Sequence, residues 1–197
     1  MKTVHRPEHW ATWDDRYRAT FFNSLYGGRL VAMFCTENEH GVNVCPVSQI
    51  VHVGATPASV GILLRPASNR HQTRANIEAG VPISLHWLPR SEVKNAHQCS
   101  AAYPQTTSEM DAVGWTFHPY PTSRLDEGLI SAHLTWKETH NLFNGTSLYV
   151  FHITEIQAHV HPDEEGFWDF QGQLLHSQGL NHYGEFKTLT KQPYARP

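Results

Sequence analysis

The sequence predicts a mainly β protein, a closed or partly closed antiparallel barrel with short helices in its connections. Three observations lead there. Six runs rich in β-branched and aromatic residues lie between Arg29 and His159, each bounded by turn-forming residues. Asn144-Gly145 separates the last two runs, and that dipeptide is a strong short-range hairpin signal. No internal repeat, low-complexity segment or Pro/Gly-rich linker divides the 197 residues, so residues 1–197 read as a single domain. Closing the barrel removes the free edges that so many strands would otherwise expose.

In chain order, residues 7–24 place Trp10, Trp13, Tyr17 and Phe21 at three- and four-residue spacing, which predicts an amphipathic N-terminal helix. Gly27-Gly28 ends it, and residues 29–36 form a first strand. After a polar turn at Glu37–Gly41, strands are expected over 43–53 and 59–65, with Thr56-Pro57 between them. Thr73 is a candidate N-cap and Gly80 a natural stop for a short helix. A strand follows at 81–88. Ser91 can cap a helix reaching about Ala102, and Ser108 can start one more turn. Residues 129–140 and 147–159 form the long hairpin, and residues 175–197 remain as a C-terminal strap.

Composition narrows the function. The formal net charge is -3, so no basic surface for nucleic acid stands out. No run of about 18 apolar residues would span a membrane. The N-terminal residues lack the apolar stretch of a secretory signal, and Cys35, Cys45 and Cys99 are odd in number and unclustered. A cytoplasmic protein with reduced thiols is expected, with Asn144-Gly145-Thr146 a turn rather than a glycosylation site. The 15 histidines show no metal-binding spacing; His159-Val160-His161 would put two imidazoles on one face of a strand, which is weak evidence, and no metal is expected.

The segment "GVNVCPVSQIVHVGATPASVGILLRP" carries the chemistry. Pro46 cannot donate to a central ladder, so the strand must break, bulge or lie at an edge there. That leaves backbone groups of Val44, Cys45, Pro46, Val47 and Ser48 free for a ligand, C=O alone at Pro46 and N–H as well at the others, and Asn43 can present its amide to a heteroaromatic ring. Just beyond, Arg65, Arg70 and Arg74 fall within ten positions among Ser68, Asn69 and Thr73. Forked guanidinium donors near a helix start suit a phosphate. A solvated basic loop is the plainer reading of the same residues. A phosphate cradle beside a polar edge for a planar ring is what flavin mononucleotide (FMN) requires.

Together with "RYRATFFNSLYGGRLVAMFCT" and "HQTRANIEAGVPISLHW", this segment resembles the flavin reductase-like, FMN-binding split-barrel family. The likeness lies in a strand ending in Thr, a Gly-x-Asn-x-x-Pro-x-Ser segment and a Thr-x-x-Asn-Ile helix closed by Gly. The resemblance implies a six-stranded antiparallel split barrel with Greek-key features, and a homodimer with FMN near the subunit interface. It implies that Asn43 and the backbone from Val44 to Ser48 face the isoalloxazine. Ser48, Arg65, Arg70 and Thr73 would hold the phosphate, with Asn76 of the same helix grouped with them. Lys94 falls where the family often has a basic residue near the flavin. Tyr183 falls at the family's C-terminal Gly-x-x-Tyr, although Gly179 stands one residue further away and the usual upstream Arg is absent.

The implied function is an FMN-dependent oxidoreductase, a flavin reductase taking hydride from NADH or NADPH. Because the flavin supplies the chemistry, no side chain is singled out as a catalytic acid or base. A non-enzymatic FMN carrier or flavin store is the alternative, and a flavin-free interaction module of the same fold is a third. No nucleic-acid or membrane partner is expected.

Overall fold

A computed structural model describes residues 4–66, 72–101, 103–104, 107–179, 181–186 and 189–192. In chain order the elements are α1 (Pro7–Trp10), α2 (Asp15–Leu25), β1 (Arg29–Leu30), β2 (Ala32–Asn38), β3 (Gly41–Val47), β4 (Ile50–Ala55) and β5 (Ala58–Leu64). These lead to α3 (Gln72–Glu78), β6 (Ile83–Trp87), a 3-10 turn (Arg90–Glu92), α4 (Val93–Gln98), α5 (Glu109–Val113), β7 (Phe117–His118) and β8 (Arg124–Leu125). The chain then forms β9 (Ile130–Asn141), β10 (Ser147–Ala158), β11 (His176–Gln178) and β12 (His182–Gly184).

Seven strands form one antiparallel sheet in the order β3-β2-β6-β9-β10-β5-β4. Its two edge strands follow each other in the chain, and only Ser48 and Gln49 link them. Seven strands laid flat would put those edges roughly 29 Å apart. A three-residue step reaches only about 10 Å. The sheet must therefore curl until the Val47 end of β3 comes close to the Ile50 end of β4, which makes it a barrel whose edge strands are not paired with each other. It is also split. β6 pairs with β9 only through Ile83↔Leu134 to Trp87↔Ile130, whereas β5 pairs with the part of β10 that faces the other half of β9. The two half-sheets are thus offset along the β9–β10 hairpin.

The expected six strands become seven because the run 43–53 divides at Ser48-Gln49, where the chain crosses the seam. Pro46 lies opposite Met33 in edge strand β3, where its missing N–H costs no ladder bond. The expected first strand divides at Val31, and the helix expected over 7–24 is two helices. Asp14 separates them, its carboxylate accepting from the N–H groups of Arg16 and Tyr17 as an N-cap. Thr73 is inside α3 rather than its cap, and Ser91 is inside the 3-10 turn, with α4 ending at Gln98. His159 and His161 lie past the end of β10, not on a strand face. Ser108 caps α5, and Gly80 closes the α3 segment at φ 71°, as expected.

Alternation along β2 builds two cores. Ala32 and Phe34 point into the barrel with Val47, Val60, Ile62, Ile77, Leu85, Tyr149 and Phe151. Val31, Met33 and Cys35 point outward, into a layer with Val44, Leu88, Ala96, Cys99, Met110, Trp115, Leu125 and Leu175. Residues of α4, α5 and the C-terminal strap thus cover one half of the sheet. Over the other half Val51 and Val53 of β4 remain 40% and 48% exposed. Among the described residues no helix is long and apolar enough to cross a membrane.

Candidate functional site: the β3 edge and the polar end of the barrel

β3 is the element that positions the site. It pairs with β2 alone, from Ala32↔Val47 to Asn38↔Gly41, so a strand's alternating groups on its other side face away from any ladder. Among the described residues no backbone–backbone bond joins residues 42–48 to anything but β2. This open edge spans the predicted Val44, Cys45, Pro46 and Val47 and runs on to Ser48 at the seam.

On the barrel side of β3, polar groups close one end of the core. Asn43 Nδ2 donates to Thr73 Oγ1 at 3.0 Å and lies 3.4 Å from Thr36 Oγ1. Asn76 Nδ2 donates to Thr36 Oγ1 at 2.8 Å, while Asn76 Oδ1 accepts from Asn38 Nδ2 at 3.0 Å. Thr36, Thr73 and Asn76 are buried, and Ile77, next along α3, enters the barrel core. A buried polar group without a partner costs about 1–3 kcal/mol, so this network fixes α3 against β2 and β3. Asn43 Oδ1 has no donor among the described residues and stays available as an acceptor. Cys45 lies in the same corner, half-buried; burial and the nearby Glu109 carboxylate push its thiol up to about 11 against a bond from Thr73, so it is protonated at neutral pH.

The arginines divide. Arg74 Nη2 donates to Leu64 O at 2.8 Å and also to Arg65 O, and its guanidinium lies 5.9 Å from the Tyr149 ring centre. Arg74 therefore clamps the end of β5. Arg65 is exposed and donates from Nη2 to Asn23 Oδ1 at 3.1 Å; no carboxylate pairs with it among the described residues. Arg70, with Ser68 and Asn69, lies outside the described residues.

The remaining two predicted residues are on the other face of β3. Lys94 is exposed on α4. Tyr183 packs against the outer core that contains Val44, its hydroxyl 2.9 Å from His97 Nδ1 and the two rings edge to face. Burial raises the Tyr183 phenol. The structure thus gathers Asn43, Cys45, Thr73 and Asn76 into one corner, sets Arg65 at the end of β5, and keeps Lys94 and Tyr183 outside, with β3 between. It also joins two residues to which the resemblance gives different roles, Asn43 at the ring and Thr73 at the phosphate. Thr73 is bonded directly to Asn43, so the two side chains act as one polar unit at this corner. The network includes Thr36 and Asn38, which are not among the residues expected from the sequence; Thr36, the last residue of the strand predicted over 29–36, is the available signal.

Comparison with known proteins agrees with this architecture. A family model described as "Flavin reductase like domain" matches residues 28–185. Among solved structures, a candidate flavin reductase with split barrel domain from Shewanella frigidimarina NCIMB 400 superposes with TM-score 0.90 at 29% identity, covering 98% of this chain and 100% of that one. An FMN-binding protein from Thermus thermophilus gives TM-score 0.73 at 16% identity, with coverage of 98% and 100%. Flavoredoxin of Desulfovibrio vulgaris (Miyazaki F) gives 0.70 at 12%, with coverage of 86% and 92%. No curated protein matches. From Gly28 to Glu185, the open β3 edge and the network beneath it included, the chain belongs to the flavin reductase-like family of split barrels.

Proposed function

We propose that the protein binds FMN and acts as an oxidoreductase, a flavin reductase that takes hydride from NADH or NADPH. The observation that carries the reading is the unpaired β3 edge, flanked by the free Asn43 acceptor and by an Arg65 cation without a carboxylate among the described residues. This donor set fits the cofactor. Backbone groups from Val44 to Ser48 and Asn43 Oδ1 match the mixed donors and acceptors of an isoalloxazine edge, and Arg65, with Ser48, matches a phosphate; Arg70 joins them by the sequence pattern alone. Thr73 holds Asn43 in place, and Asn76 braces the same corner through Thr36 and Asn38. Lys94 and Tyr183 flank the outer side of β3.

When bound, the flavin accepts and passes on the hydride or electrons. The chain's part is to bind and orient. Cys45 stays a neutral thiol beside the ring edge, and N–H groups of the β3 edge would favour negative charge on the reduced ring. The family membership and the FMN-binding neighbour support the cofactor, and the family's flavin reductase description, shared by the 29%-identical candidate flavin reductase, supports the activity. The shared fold with a flavoredoxin supports a second reading, an FMN electron carrier without nicotinamide turnover.

The reconstituted protein mixed with NADH or NADPH under anaerobic conditions separates the two. Bleaching of the flavin bands at a catalytic rate is expected; a flavin that stays oxidised with both donors refutes the reductase reading. We also propose a homodimer. Its face would be the half of the sheet where Val51 and Val53 are exposed, together with the α1–α2 aromatics, none of which is fully buried. Light scattering should give twice the 22.4 kDa chain mass, and a monomer would refute it.

A further inference from the structure

The N-terminal helices precede the matched domain, which begins at residue 28, yet α2 reaches the proposed phosphate end through one residue. Asn23 uses all three of its hydrogen-bonding groups beyond the N–H. Its Nδ2 donates to Ala19 O at 2.7 Å, its backbone carbonyl accepts from Arg29 Nη2 at 2.9 Å, and its Oδ1 accepts from Arg65 Nη2 at 3.1 Å. The neighbouring Ser24 carbonyl accepts from Gln178 Nε2 at 3.1 Å, and Gly179 follows next to Ser24, where an added Cβ would lie 3.6 Å from Ser24 Cβ. The last carbonyls of a helix lack their usual intrahelical partners, so the Arg29 donor satisfies Asn23 O, while Gln178 adds a tertiary anchor to Ser24 O, which also accepts from the Gly27 N–H. α2 is therefore pinned to β1 and to the strap. What it offers Arg65 is a fixed, neutral acceptor.

From the other side, Arg74 holds the carbonyls of Leu64 and Arg65, so Arg65 is fixed through both backbone and side chain. A neutral amide orients a guanidinium without cancelling its charge, whereas a carboxylate in the same place would do both. Among the described residues Asn23 is the one acceptor for the Arg65 guanidinium, so four of its five N–H donors face no acceptor there.

We propose that Asn23 is a positioning residue that pre-orders Arg65 for the phosphate of FMN, so that the N-terminal helices, outside the family domain, form part of the cofactor site. The inference rests on the phosphate role of Arg65 proposed above. Pre-ordering raises affinity by removing the cost of immobilising a long side chain at binding. Its signature is selectivity: riboflavin lacks the phosphate and should be indifferent to Asn23.

The test is the dissociation constants of FMN and riboflavin, from flavin fluorescence, for the wild type, Asn23→Ala, Arg65→Ala and the double variant, each with its thermal midpoint. Asn23→Ala should weaken FMN by roughly three- to tenfold, the scale of one exposed hydrogen bond to a charged group, and leave riboflavin unchanged. The double variant should bind FMN no more weakly than Arg65→Ala alone. Equal loss of both ligands in Asn23→Ala would show a purely structural role and overturn the inference. So would unchanged FMN binding, or additive losses in the double variant. If Arg65→Ala itself fails to separate FMN from riboflavin, the phosphate reading falls, and the inference with it; that outcome is distinct from failure at Asn23 alone.

Discussion

Lowering the pH should destabilise this fold through one histidine. His86 is fully buried on the outer side of β6, where its Nε2 lies 2.8 Å from Ser84 Oγ and its Nδ1 2.8 Å from Ser131 Oγ, with the Phe117 ring edge to face. Two hydroxyls satisfy a neutral imidazole, one accepting and one donating. An imidazolium would need two acceptors and would carry its charge into an apolar layer. Burial, with some help from nearby His133, lowers the group from 6.5 to about 3. A depressed histidine keeps its full contribution to stability above the unfolded pKa and loses it as pH falls. The window therefore opens near pH 6.5 and closes near pH 3. Each pH unit costs about 1.4 kcal/mol, so the loss is about 2 kcal/mol at pH 5 and on the order of 5 kcal/mol at pH 3. Urea unfolding at pH 7 and pH 5 measures it, and the His86 ring resonances should not titrate above pH 4. A ring that titrates near 6.5, or equal unfolding free energies at the two pH values, would refute the reasoning.

Other outcomes follow from the packing. Asn76→Ala removes the donor to Thr36 and the acceptor for Asn38 together, and should cost about 2–3 kcal/mol in urea unfolding; an unchanged midpoint would show that the network contributes nothing. A Cβ at Gly61 would lie 2.7 Å from Val51 Cγ2 and 2.9 Å from Leu148 Cδ1, so Gly61→Ala should destabilise by about 1–2 kcal/mol, visible as a lower thermal midpoint. Burial pushes the thiols of Cys45 and Cys99 up to about 11 and about 12, and raises Cys35 well above its usual value. At pH 8 the native protein should therefore resist a disulfide reagent that modifies all three cysteines in urea, and fast reaction of a native thiol would contradict this.

Local chemistry explains which parts of the fold were legible in the sequence. Asn144-Gly145 marked the β9–β10 hairpin, Gly80 the end of α3, Ser108 the start of α5, and Pro46 the edge strand, because each acts on its own backbone. The division of 43–53 into β3 and β4 was not legible: β-branched residues run on past Ser48-Gln49, and only closure of the barrel forces the break. The aromatic spacing of Trp10, Trp13, Tyr17 and Phe21 likewise concealed the interruption that Asp14 caps. At the site, residue types pointed to Asn43 and Arg65, but the partners that fix them, Thr73 across 30 positions and Asn23 across 42, are tertiary contacts that no local pattern carries. The Ser84–His86–Ser131 set was hidden for the same reason.

The most direct test of the cofactor assignment is the visible spectrum of the protein reconstituted with excess flavin and desalted, followed by chromatography of what heat releases. The account predicts flavin absorption with close to one FMN per chain, since the Arg65 region offers a place for one phosphate. Release of FAD in place of FMN, or a colourless protein after reconstitution, would contradict it.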